Sequence, residues 1–86
     1  MKVKIPFNVI QINLTKEKTL EVVFFHGGKF YAMPWNEVPE KFKILHVAKL
    51  KLLGCSIPDF LKSYIKDVVD LSDVNIEMDL SKCKVV

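Results

Sequence analysis

The stretch VVFFHGGKFYAMPW, residues 22–35, decides the fold, because it holds the chain's one glycine pair. Residues 20–26 and 29–35 are rich in β-branched and aromatic types, and Gly27-Gly28 lies between them as a two-residue loop. Such loops form type I′ turns, which need positive φ at both central positions and therefore favour glycine. A phosphate-binding loop needs a longer glycine pattern that opens onto a helix. Here a strand-like segment, KFYAMPW, follows. The pair marks a β-hairpin.

Turn length sets the register. His26 falls opposite Lys29, Phe24 opposite Tyr31, Val22 opposite Met33 and Leu20 opposite Trp35. Upstream, Lys16-Glu17-Lys18 reads as a three-residue loop of a second hairpin, with Leu14 facing Leu20, Ile12 facing Val22 and Ile10 facing Phe24. The two registers agree. Ile10, Ile12, Leu14, Leu20, Val22, Phe24, Tyr31, Met33 and Trp35 all share one face, and a one-residue slip would scatter them. The expectation is a three-stranded antiparallel meander over about 7–15, 19–26 and 29–35. On its other face Val9, Phe25 and Phe30 make an apolar end, which Phe7 extends.

Downstream, SIPDFLKSYIKDVVDL reads as an amphipathic helix over about 58–71. Pro58 suits the first turn, and Leu61, Tyr64, Ile65, Val68 and Leu71 recur at helical spacing. It is expected to lie on the apolar sheet face. Residues 37–53 have helical boundaries, with Asn36 as cap, Glu37 and Pro39 in the first turn and Gly54 after the end. Their interior partly alternates, so a strand at 41–52 is the alternative; the caps favour a helix. As a helix the segment is apolar nearly all round and must be well buried. DVNIEMDL alternates cleanly and predicts a strand at 74–80, with Val74, Ile76, Met78 and Leu80 inward. The first few residues and the tail SKCKVV read as loose. The fold class is α+β, a single domain spanning 1–86.

Composition bounds the function. Half of the 86 residues are hydrophobic and nine are aromatic, so a short chain carries surplus apolar surface. All thirteen basic residues are Lys and Gln11 is the sole glutamine, which fits a low-GC, thermophilic source. The start shows no secretory signal, and no run is long and apolar enough to span a bilayer. Cys55 and Cys83 are too few for a disulfide framework, so free thiols and a cytoplasmic setting are expected, with a single bridge between them as the alternative.

No catalytic signature emerges. His26, His46, Cys55 and Cys83 lack the close pairing of zinc ligands. Cys55 and Ser56, placed near a helix start, lack an oriented base, and Cys55 reads as a small packed hydrophobe. The chain is therefore read as a non-enzyme without cofactor or metal. Two binding readings remain. The first is a protein–protein interaction module, most simply a homodimer, using Phe7, Val9, Phe25 and Phe30. The second is a weak, non-sequence-specific nucleic-acid binder using Lys41, Lys43, Lys49 and Lys51. Residues 1–53 carry nine Lys against four acids, and residues 54–86 four Lys against six. That asymmetry suits either a polyanion or neutralisation within the fold.

Overall fold

The computed structural model describes residues 1–65 and 74–86. Among them the chain is α+β, with six strands in two antiparallel sheets and one main helix. Strands β2 (Gln11–Leu14), β3 (Leu20–His26), β4 (Lys29–Pro34) and β6 (Lys84–Val85) form a sheet in that order. Strands β1 (Lys2–Pro6) and β5 (Asn75–Asp79) form a separate ribbon, and helix α1 spans Glu40–Leu52.

The meander has the register that its turns dictate. His26 pairs with Lys29, Phe24 with Tyr31 and Val22 with Met33, while Leu14 pairs with Leu20 and Ile12 with Val22. Gly27 and Gly28 adopt φ of 58° and 80°, the signature of a type I′ turn. In the other turn Lys18 takes φ of 63°, and the Thr15 amide donates to the Thr19 carbonyl at 2.8 Å. The outer pairs Ile10–Phe24 and Leu20–Trp35 lie beyond the ladders. The first strand also begins later than expected. Residues Phe7–Val9 form a 3-10 turn, closed by the Ile10 amide on the Phe7 carbonyl, while the Phe7 amide donates to Val74. That turn carries the chain from the ribbon into the sheet.

Both termini are ordered, which corrects the reading of loose ends. β1 pairs with β5, bringing Lys2 opposite Asp79 and Lys4 opposite Glu77 on one face, Val3 opposite Met78 and Ile5 opposite Ile76 on the other. Opposite charges meet outside and apolar pairs meet inside, so this register is doubly specified. The expected strand at 74–80 is thus β5, joined to the N-terminus rather than to the meander. In the tail, β6 pairs with β4 through Tyr31–Val85 and Ala32–Lys84.

The segment 36–54 is helical, as its boundaries indicated, although the cap differs. Trp35–Glu37 form a separate 3-10 turn, and Pro39 rather than Asn36 precedes the helix. The C-terminus follows the expectation for Gly54. With φ of 73°, Gly54 donates to Lys51 while Cys55 donates to Leu50, the paired bonds of a Schellman motif.

The second helix at 58–71 is a correction. Asp59–Tyr64 is a 3-10 helix, and Ile65 is extended with ψ of 122°. The remainder of the expected helix, from Lys66 onward, lies outside the described residues. Spacing of three, as between Leu61 and Tyr64, suits a 3-10 turn as well as an α-helix. This segment packs chiefly on α1.

α1 instead occupies the apolar sheet face on which the 58–71 helix was expected. Phe42 and Leu45 join Val22, Phe24 and Met33 of the sheet and Ile5, Ile76 and Met78 of the ribbon in one core. Phe42 and Leu45 in that core and the 3-10 segment against α1 cover most of its apolar surface, while Leu52 at its end stays exposed. Ile12 and Leu14, expected on the buried face, are exposed on β2, an edge strand of the sheet. The principal extents are 35 × 32 × 18 Å, the thickness of two layers.

Candidate functional site

Alternation along β3 and β4 sends Val22, Phe24 and Met33 into the core and Phe25 and Phe30 outward. Phe25 is 55% and Phe30 54% exposed. They are directly paired across the hairpin, with ring centroids 5.0 Å apart and planes tilted by 59°. Such a tilted pair is a favourable aromatic geometry, so the two rings form one preset unit. Val86, exposed, donates its amide to the Phe30 carbonyl at 3.0 Å and widens the apolar surface beyond β4. Val9 is also exposed, at the end of the 3-10 turn.

Phe7 leaves this group. It is half-buried, packs against the core and lies 5.2 Å from the Phe42 ring. The 3-10 turn at 7–9 breaks the alternation by which it was placed beside Phe25. Of the four candidate interface residues, then, Phe25 and Phe30 are brought together, Val9 is exposed, and Phe7 faces inward.

The candidate lysines do not share a face. Successive helix positions are roughly 100° apart, so 41, 43, 49 and 51 spread around the whole circumference of α1. Lys49 and Lys51 are exposed and Lys41 is half-buried. Lys43 is only 7% exposed. Its ammonium sits 5.1 Å over the Trp35 ring and 5.5 Å over Tyr64, so two aromatic faces replace water around the charge. Sequence reasoning missed this cluster. Lys43 stands eight residues from Trp35, and their meeting depends on the turns at 35–39, which no periodicity reveals.

The other chemical candidates stay apart. Among the described residues no three His, Cys, Asp or Glu side chains are grouped to hold a metal. Both cysteines are free thiols. Cys55 is exposed in the turn after α1, at a helix C-terminus rather than an N-terminus. It is therefore not a packed hydrophobe. Cys83 is half-buried against the core, and burial, then the nearby Asp79 carboxylate, push its thiol pKa up. His46 stacks parallel on Phe42 at 6.1 Å, and burial, then Lys49, hold its pKa below the ordinary value. Asp79 accepts from the Ser81 hydroxyl at 2.6 Å and from the Ser81 amide at 3.0 Å, which lowers its pKa.

Among the described residues no helix is long and apolar enough to cross a membrane. Comparison with protein-family models, curated proteins and solved structures finds no match. The functional reading therefore rests on this surface alone.

Proposed function

We propose that this chain is a non-enzymatic interaction module that forms a homodimer through the outer face of its β3–β4 hairpin. The observation that carries the reading is the Phe25–Phe30 pair, two large rings more than half exposed on a sheet face opposite the core. Among the described residues the one α-helix, α1, is engaged on the other face. Paired aromatic rings in water are costly to leave bare and serve well as interface anchors. A second copy offers the same pair about a two-fold axis, so one small patch supplies both halves of the contact. Two unbridged cysteines suit a reducing, cytoplasmic setting, and the lysine-rich, glutamine-poor composition suits a thermophile.

Light scattering over a concentration series tests the reading. The wild-type chain is expected to pass from monomer to dimer, and Phe30→Glu to remain a folded monomer. A wild-type chain that stays monomeric at high concentration overturns it. Anisotropy with labelled mixed-sequence DNA and RNA, at low and near-physiological salt, tests the alternative use of Lys41, Lys43, Lys49 and Lys51. Steeply salt-dependent binding would replace the dimer reading with the nucleic-acid one.

A further inference from the structure

We propose that the groove running from Trp35 to the β2–β3 turn binds an extended, proline-rich peptide segment that carries a basic side chain. The groove has two halves. The first is a recess of about 550 Å³ lined by Thr19, Leu20, Pro34, Trp35, Asn36 and Phe60. The second, about 440 Å³, shares Thr19, Leu20 and Pro34 with it and adds Glu17, Glu21 and Lys84 among its walls. The first volume alone lies within the usual range for ligand sites.

The first half is aromatic and preset. Trp35 meets Phe60 edge to face at 6.2 Å and 73°, and Phe60 remains 55% exposed. The indole is held by the Phe42 edge contact at 6.3 Å and by the Lys43 ammonium over its ring. A fixed aromatic wall is what pyrrolidine rings pack on, and a polyproline II segment loses little entropy on docking. Such a segment leaves its carbonyls unbonded. Asn36, exposed in the same wall, can donate its carboxamide N–H to one of them.

The second half sets the charge. Glu17 and Glu21 against Lys84 leave it net negative on a chain whose net charge is +3. Lys16 and Lys18, in the same turn, do not line it. A polyanion is disfavoured there, and a small apolar ligand would fill only the aromatic half. A peptide with prolines followed by arginine or lysine uses both.

The probes are two fluorescein-labelled decaprolines, one ending in two arginines and one in two glutamates, read by anisotropy and by the emission of Trp35, the chain's sole tryptophan. The arginine peptide is expected to bind saturably and to shift Trp35 emission, with the glutamate peptide at least about tenfold weaker. Phe60→Ser is expected to weaken binding at least about tenfold and Glu17→Gln about threefold. Both sites are exposed, so the fold survives either change. Phe30→Glu, at the glycine-turn end of the hairpin and four residues along the strands from Glu21 and Pro34, is expected to leave peptide binding unchanged, which separates this site from the dimer face. Equal binding of the two peptides, no binding of either, or full affinity in Phe60→Ser overturns the proposal.

Discussion

Replacing Phe30 by glutamate separates an interface residue from a core residue by magnitude. A phenylalanine side chain offers roughly 200 Å² to a contact. At 54% exposure, Phe30 therefore presents about 100 Å² to solvent, and Phe25 at 55% about the same. Four such rings in a symmetric dimer remove about 400 Å² from water, near 10 kcal/mol at about 25 cal/mol per Å². Association costs roughly 4–15 kcal/mol, so the dimer is weak and its population depends on concentration. Losing both copies of Phe30 removes about half the apolar contribution, about 5 kcal/mol, and sets two carboxylates into the patch. The dimer constant should weaken by more than about a hundredfold. The monomer should lose far less. The tilted pair with Phe25 is worth about 0.5–1.5 kcal/mol, and glutamate in a strand costs up to about 1 kcal/mol more. At about 4–8 °C per kcal/mol, the melting temperature of dilute protein falls by about 2–20 °C and unfolding stays cooperative. Sedimentation velocity from low to high micromolar concentration, with dilute thermal melts, reads both quantities. An unchanged dimer constant refutes the interface, and gross unfolding refutes the placement of Phe30 on an open face.

The hairpin turn, the buried lysine, the stacked histidine and the two thiols each give a further expectation. Gly27→Ala meets nothing within 4 Å, so its cost is backbone strain alone, about 1–2 kcal/mol by urea unfolding, and Gly27→Asn should recover most of it. A loss of about 4 kcal/mol would mean that the turn is packed rather than open. Lys43→Met keeps the buried stem and loses only the charge over Trp35 and Tyr64, costing about 1–2 kcal/mol with a shift in Trp35 emission, whereas Lys43→Ala also opens a cavity and should cost more. Equal losses for the two variants would count against the aromatic sandwich. Burial, then Lys49, depresses the His46 pKa, so below about 6.5 the unfolded chain binds more protons than the folded one. The stability this group contributes is complete above pH 6.5 and declines as pH falls through its folded value. His46→Gln should flatten that decline in urea titrations between pH 7.5 and 5, and an unchanged slope refutes the assignment. Ellman's reagent should modify Cys55 quickly and Cys83 slowly, one thiol in each phase, because burial and Asp79 oppose ionisation of the second. A single rapid phase of both would place Cys83 in the open.

Both hairpins were legible because their information is local. Two glycines between apolar strands specify a type I′ turn, and a three-residue loop specifies the neighbouring register. Together they place Phe25 and Phe30 on the face opposite Val22, Phe24 and Met33. The end of α1 was legible for the same reason, since Gly54 is a helix stop written at one position. Phe7 was misplaced because one 3-10 turn broke the alternation that carried the argument. The lysines misled in another way. Their spacing suggested a common face under strand-like alternation, whereas the helix distributes them around its axis and Lys43 sinks between Trp35 and Tyr64.

Local sequence determined the meander, its register, the helix that follows it and which aromatics lie on each sheet face, since turn chemistry and side-chain parity act over a few residues. Tertiary structure alone decided the rest. The N-terminal KVKIP alternates as well as NIEMD does, yet nothing in either names the other as its partner across some seventy residues. That choice came from the shared core, where Ile5, Ile76 and Met78 close over the sheet beside Phe42. The same long-range packing put α1 on the inner face, turned Leu61 onto α1 and left Phe25 and Phe30 bare. Which face of a sheet is covered depends on where distant apolar segments find volume to fill, and that is a property of the assembled core.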